Sequence, residues 1–333
     1  MTVKWGIIGC GAVAEHKGGP ALYNAPESEL IAVMRRDEQL AAEFAQRHGA
    51  KRHYSSVEAI LADDEINAVY IATPPHVHAE QTIAAANAGK HVLCEKPMAM
   101  DVAQGREMIA ACRDNDVQLM IAYYRRFWPL ASKMQQFIAD GAIGRPTMAY
   151  AHCAALWQPP EDPSTFWRIQ RDIAGGGFLW DVGSHRLDLL LQMMGDVTSV
   201  AALVEAVHFD IPVDDSSALL MQFESGAQGI GMFYWNVGSY VDALEVAGTA
   251  GRLIATSVGQ GELLLARGTD TEQFHLPPPE STHLPLVEHY VAAIISGEPN
   301  ALPGEEGLKT TAIIQAADQS ARNRDFVTIS ELP

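Results

Sequence analysis

Across the first 122 residues, short apolar runs alternate with stretches whose apolar positions recur at helical spacing. The runs at 4–8, 30–34, 68–72, 91–94 and 118–122 carry almost no charge and read as strands buried on both faces. A shorter strand is predicted near His53. Helical period falls at 38–48, at 57–62 behind a Ser55 or Ser56 cap, at 78–88 and at 102–115. Strand and helix in strict alternation predict an α/β domain with a parallel sheet and crossover helices.

After a helix around 130–139 the period changes. Strands are predicted at 147–156, 197–208, 217–223, 227–235, 243–247 and 253–256, and Glu224-Ser225-Gly226 reads as a hairpin turn. Successive strands without intervening helices predict a large, mainly antiparallel open sheet in an α+β C-terminal domain. Its helices are placed at 178–194, 286–296 and 308–322. The domain division is set at 1–122 and 123–333. These helices are too few to cover both faces of such a sheet, which predicts a homodimer or homotetramer built through it.

Composition narrows the classes. A chain of 333 residues accommodates two domains, and with nearly half its residues apolar it is a folded protein. No apolar run approaches the roughly 18 residues of a membrane span, and the N-terminus opens on a strand rather than a signal peptide. The net charge of −18 argues against nucleic acid and against an anionic membrane surface. The four cysteines are scattered and fit no metal spacing, which predicts reduced, buried thiols in a cytoplasmic protein.

Candidate chemistry begins where the first strand ends. Gly9-Cys10-Gly11-Ala12-Val13-Ala14 has the G-x-G-x-x-A form of a dinucleotide fingerprint, which makes 1–122 a Rossmann dinucleotide-binding domain and leaves substrate binding and oligomerisation to 123–333. Gly9 makes the turn, Gly11 lets backbone approach pyrophosphate, and Ala14 lets the helix pack close. After strand two, where an acid would accept from the ribose 2′-hydroxyl of NAD, stand Arg35 and Arg36, and only then Asp37. Guanidinium groups suit a 2′-phosphate, so NADP is favoured over NAD. The bland alternative makes Arg36 a solvated residue and Asp37 a helix cap. Strand four empties into Thr73-Pro74-Pro75-His76-Val77-His78, a loop at the cofactor crevice. Its two histidines lack a third ligand, so no metal is assigned.

The fifth strand delivers Glu95-Lys96-Pro97 to its carboxyl end, where a lysine can face both cofactor and substrate. Tyr123-Tyr124-Arg125-Arg126-Phe127 follows the sixth strand toward the same crevice, with an ion pair as the simpler use of its arginines. In the second half, Gly175-Gly176-Gly177 permits a close approach of backbone and leads into Asp181, His185 and Asp188. On one helix these three share a face, and an imidazole one turn from a carboxylate suits proton transfer near neutral pH. The competing use is a structural pair capping buried backbone.

These motifs, in this order, resemble the glucose–fructose oxidoreductase/inositol dehydrogenase family (Gfo/Idh/MocA) over nearly the whole chain, including Gly304-Glu305-Glu306-Gly307-Leu308. The resemblance implies hydride transfer between nicotinamide C4 and a secondary alcohol or ketone of a sugar, polyol or cyclic diol. It implies that Lys96, with a cis peptide to Pro97, bonds the reacting oxygen and helps place the nicotinamide ribose. His185 would be the general acid/base and Asp181 its support. Cofactor contacts are assigned to Gly9, Cys10, Gly11, Ala12, Val13, Ala14, Arg35, Arg36, Thr73, Pro74, His78, Glu95 and Lys96. Substrate contacts are assigned to Lys96, Tyr124, Trp167, Arg168, Asp181 and His185, with Trp157, Arg171 and Tyr234 as further candidates. Competing readings are a dinucleotide-binding sensor or regulator without turnover, and an enzyme whose tightly held cofactor is recycled internally.

Overall fold

The computed structural model describes residues 1–160 and 166–331. Strands β1 (Val3–Ile8), β2 (Ser28–Met34), β3 (Arg52–Tyr54), β4 (Ala68–Ile71), β5 (His91–Cys94) and β6 (Leu119–Ile121) are interleaved with helices α1 (Gly19–Asn24), α2 (Glu38–His48), α3 (Val57–Leu61), α4 (His78–Asn87) and α5 (Val102–Asp114). All six strands pair in parallel in the order β3-β2-β1-β4-β5-β6. Their apolar runs are explained by that pairing, since β4 and β6 are buried at every residue. Local signals set the helix bounds. The Asp37 carboxylate accepts from Leu40 N at 3.0 Å to start α2, and Gly49 ends it at φ 71°. Ser56 does the same for α3.

The chain continues through α6 (Pro129–Ala139), β7 (Pro146–Leu156), α7 (Arg171–Ala174), α8 (Ser184–Met194), β8 (Val197–Glu205), β9 (Ser216–Phe223), β10 (Gln228–Tyr234), β11 (Asn236–Gly248), β12 (Arg252–Ser257), β13 (Glu262–Arg267), β14 (Asp270–His275), α9 (Leu284–Ser296), α10 (Gly304–Asn323) and β15 (Val327–Thr328). A nine-stranded sheet forms in the order β14-β13-β12-β11-β7-β10-β9-β8-β15. It is antiparallel except where β7 and β10 run side by side. One face carries Ala151, Leu219, Phe233 and Leu244, all buried, while Leu203, Leu220 and Ile230 on the other are exposed. Among the described residues, no helix is long and apolar enough to cross a membrane.

Two compact units result: Met1–Tyr124 with Pro279–Leu308, and Arg125–Pro278 with Lys309–Pro333. A single cut after residue 122 therefore misses a returning segment. The reason is in the packing of α9, whose buried Tyr290 donates to Val92 O and stands 2.7 Å from Gln118 O in the parallel-sheet unit.

Other departures from the sequence pattern have local causes. β8 stops at Glu205 rather than running to 208, because the Asp215 carboxylate takes the N–H groups of Val207, His208 and Phe209 and turns the chain. β11 begins seven residues early at Asn236, in a polar stretch whose residues 238–240 are exposed. β14 is exposed at nearly every residue, so it lacks the alternation by which an edge strand could be read.

Charges inside the second unit hold α8. Arg186 on α8 is fully buried and pairs with Asp242 of β11, whose Oδ2 also accepts from Gly259 N at 2.9 Å. Arg126 pairs with the buried Asp188 at 2.8 Å. On α10, Asp318 is 3.6 Å from Arg171, and burial pushes its carboxyl up to about 6 against an ordinary 3.8. A carboxyl raised by folding supports stability below its unfolded pKa and loses that support as pH rises through the folded value. Asp318→Asn should therefore gain on the wild type between pH 4 and 7, by up to about 3 kcal/mol. Urea midpoints measured across that range check this, and a difference that does not change with pH would show Asp318 to be paired well enough to offset its burial.

Candidate active site

In the parallel-sheet unit, the turn after β1 is held by its own geometry. Gly9 sits at φ 98°, and a Cβ there would lie 2.8 Å from Thr73 and 2.9 Å from Ala72 backbone. Glycine is therefore required. Gly11 is different: a Cβ added to it would meet no protein atom within 4 Å. Protein packing gives no reason for that glycine, whereas a ligand laid against the backbone would. Gly11 is exposed, as is Ala12, and Val13 is half-buried. Ala14 is buried and begins a π-helical segment, Ala14–Gly18, that leads into α1. A Cβ on Gly18 would fall 2.2 Å from the Tyr70 ring, so the helix lies directly on β4. Cys10 is buried with its thiol pushed up to about 12, which keeps it protonated and inert.

Arg35 reaches back to this turn, donating from Nη1 to Cys10 O at 3.1 Å, while Arg36 is exposed. Asp37 is consumed as the cap of α2. A basic group, not an acid, thus stands at the end of β2 beside the glycine turn.

At the ends of β4 and β5 lies a second cluster. Thr73 Oγ1 donates to Gln81 at 2.7 Å, and Pro74 is half-buried beside it. His78 is fully buried, with Nε2 at 2.8 Å from Thr73 O and Nδ1 at 2.9 Å from Pro97 O. Burial lowers its pKa, and either neutral tautomer donates to one of the two carbonyls. This imidazole ties two loops together through both of its ring nitrogens. His76, two residues earlier, is exposed.

The Lys96–Pro97 peptide is cis, and Lys96 is half-buried at the carboxyl end of β5. Glu95 turns inward. The Tyr70 hydroxyl donates to its Oε1 at 2.5 Å, His283 Nε2 lies 3.3 Å from the same oxygen, and Lys96 N donates to Oε2 at 3.2 Å. Burial would raise this carboxyl, but His283, Tyr70 and the Lys96 charge hold it down to about 2. Both of its oxygens serve protein donors. Tyr124 is also buried, its ring stacked 4.2 Å from that of His283. His283 had no signal in the sequence, being one polar residue among Ser281-Thr282-His283 in a loop.

In the open-sheet unit, the three glycines have partners of their own. Gly177 N and Leu179 N donate to the carboxylate of Asp214 at 2.7 and 2.9 Å, and a Cβ on Gly177 would fall 1.9 Å from Asp214 O. A Cβ on Gly176 would strike the Trp180 ring. The expected helix over 178–194 is accordingly divided: Leu179–Gly183 is π-helical and α8 follows. Asp181 lies in the π segment, at 3.3 Å from Arg168 Nε, and the Arg168 guanidinium stacks 4.6 Å over Trp167. His185 is buried on the first turn of α8. Asp214 was invisible as a partner in the sequence, because only folding brings residue 214 to residue 177.

The structure thus brings Asp181, Trp167 and Arg168 together, and separately gathers Thr73, His78, Glu95, Lys96 and Tyr124. It takes others away. Asp188 is committed to Arg126, and Arg171 faces Asp318. Arg125 stacks over Trp128 at 4.5 Å. Tyr234 alternates with the buried Phe233 and lies 6.2 Å from His152 on the outer sheet face. Trp157 stacks on Trp235 at 5.6 Å.

A turn built for a backbone-bound phosphate and a lysine at a strand end fit a nicotinamide dinucleotide, and a half-buried Asp beside an Arg–Trp pair fits a polar substrate. Residues 3–123 match a model described as an oxidoreductase family with NAD-binding Rossmann fold, and residues 131–254 match the GFO/IDH/MocA C-terminal domain. Oxidoreductase P35 of Formosa agariphila is 32% identical over 94% of this chain and 97% of its own. The 1,5-anhydro-D-fructose reductase of Ensifer adhaerens is 32% identical over 93% of each. A solved levoglucosan dehydrogenase in complex with NADH shares a TM-score of 0.90 at 26% identity, over 99% of both chains. The chain belongs to the GFO/IDH/MocA family of oxidoreductases.

Proposed function

We propose that this protein interconverts a secondary alcohol and its ketone on a sugar, polyol or cyclic diol, with Lys96 and His185 both acting at the reacting oxygen. The observation that carries this is one sheet bearing two fittings at its carboxyl edge: the open-sided glycine turn after β1 and Lys96 after β5. The relatives named for anhydrofructose and levoglucosan support the substrate class.

The nicotinamide, when bound, supplies the hydride chemistry at its C4. Gly9, Gly11 and the helix start beyond them hold its pyrophosphate through backbone. Lys96 donates to the substrate oxygen, stabilising charge as the carbonyl forms or collapses. His185 takes the hydroxyl proton in oxidation and returns it in reduction, because an alcohol carbon gives up hydride only as its oxygen gives up a proton. Asp181 orients the substrate and supports the proton transfer, with Trp167 and Arg168 shaping the pocket.

The same reading favours NADP over NAD, because Arg35 stands where an acid would serve the 2′-hydroxyl and Asp37 is already spent on α2. It places the protein in the cytoplasm, where its four buried, unpaired thiols stay reduced. It also makes the outer face of the nine-stranded sheet the place where copies meet as a homodimer or homotetramer. That face holds an open groove of about 630 Å³ lined by Leu203, Leu220, Ile230 and Phe326.

Lys96→Met and His185→Asn should each lower turnover by roughly 10²–10⁴-fold with little change in cofactor affinity. Absorbance at 340 nm on levoglucosan, 1,5-anhydro-D-fructose and related polyols and diols reads the first quantity, and tryptophan fluorescence titration reads the second. Wild-type turnover in both variants would sink the mechanism, and cofactor binding without turnover of any substrate would favour a sensor. Arg35→Asp should move preference from NADP toward NAD, seen as the ratio of the two dissociation constants; an unchanged ratio puts the 2′-phosphate contact elsewhere. Ile230→Lys should lower the oligomeric mass in light scattering, and an intact oligomer would move the interface off this face.

A further inference from the structure

A buried cluster stands next to Lys96. Glu95 has a side chain only 8% exposed, and His283, which meets it from 188 positions further along the chain, is 1% exposed. A carboxylate so far from water is tolerated only when donors replace its hydration. Here Tyr70 and His283 serve one oxygen, and the backbone N–H of Lys96 serves the other. The side chain of Glu95 is thus a bracket across the peptide that carries Lys96, and the donors on Oε1 fix the direction of the bracket.

His283 is itself fixed. Thr282 Oγ1 lies 3.2 Å from its Nδ1, which leaves Nε2 facing Glu95, and Tyr124 covers the ring face at 4.2 Å. With Nε2 as the protonated nitrogen, the imidazole donates to Oε1 as either a neutral or a charged ring. The ionisable groups around Glu95 are Cys94 and Lys96 on its own strand end, Tyr70 on β4, His78 on α4, Tyr124 after β6, and His283. The hydrogen bond from His283 and the charge of Lys96 both steady the carboxylate.

We infer that His283 is a positioning residue for Lys96: through Glu95 it sets the backbone from which the lysine side chain departs. This inference rests on the catalytic use of Lys96 proposed above. Losing the His283 donor leaves Oε1 with Tyr70 alone and lets Glu95 rotate or take up a proton. The Lys96 N–H then loses its acceptor and the ammonium loses its neighbouring negative charge. Displacement of a catalytic group by about 1 Å costs on the order of 10²-fold in rate.

The test compares His283→Phe, which keeps the aromatic stack but has no donor, with His283→Gln, which restores one. On levoglucosan and 1,5-anhydro-D-fructose, His283→Phe should lower kcat roughly 10- to 100-fold, leave cofactor affinity within about twofold, and move the acid limb of the kcat profile to higher pH. The sign follows from Glu95, which becomes easier to protonate when a partner that lowers its pKa is removed. His283→Gln should recover most of the rate and the original limb. A readout independent of turnover is the ¹³C NMR resonance of Lys96 after reductive ¹³C-methylation of the lysines, assigned by its loss in Lys96→Met. That resonance should shift in His283→Phe and return in His283→Gln. An unmoved resonance, or equal kcat in wild type and His283→Phe, overturns the inference. So does a loss of rate in both variants that tracks a fall in urea midpoint, since that marks a merely structural residue. If Lys96→Met keeps full turnover, the proposed mechanism fails instead, and the resonance still reports whether His283 positions the lysine.

Discussion

A carboxylate removed from water must be given donors, and in each unit of this protein one such carboxylate decides how the functional segment is held. In the parallel-sheet unit it is Glu95, served by Tyr70, His283 and the peptide of Lys96. In the open-sheet unit it is Asp214, which takes Gly177 N and Leu179 N together with the hydroxyl of Ser217. Each braces a turn beside residues that the proposed mechanism uses, Lys96 in one case and Asp181 with His185 in the other.

The two segments share a second device. A π-helical stretch follows the glycine turn at Ala14–Gly18, and another follows the glycine run at Leu179–Gly183. A π segment widens the helix and rotates the residues beyond it relative to an α-helix, and such segments concentrate at functional sites. In both places a ring lies against the glycines, Tyr70 against Gly18 and Trp180 against Gly176. The wider turn and the missing Cβ atoms belong together, since either alone would leave a gap or a clash.

Much of this was legible from the chain. The apolar runs and the serine cap at 55 or 56 located the six parallel strands and α2 to α5 to within a few residues, and the alternative that made Asp37 a helix cap is the one the fold uses, because those signals are local. The glycine turn, Glu95-Lys96-Pro97 and the Asp181–His185 spacing were legible for the same reason. What stayed hidden was long-range. His283 and Asp214 act on residues far away in sequence, and nothing around either marks its partner. The burial of His78 and Glu95 stayed hidden as well, because their motif shows which residues stand there and not what surrounds them. The edge strand β14 escaped because a strand exposed on both sides has no hydrophobic period to read.

The returning segment Pro279–Leu308 has a consequence for synthesis. The parallel-sheet unit is encoded at the two ends of the open-sheet unit's long insertion, so its 124 leading residues leave the ribosome without their last helix and without His283. Until that segment arrives, Glu95 lacks its imidazole, and Val92 O and Gln118 O lack the Tyr290 hydroxyl. The parallel-sheet unit is therefore completed only after most of the nine-stranded sheet has been made.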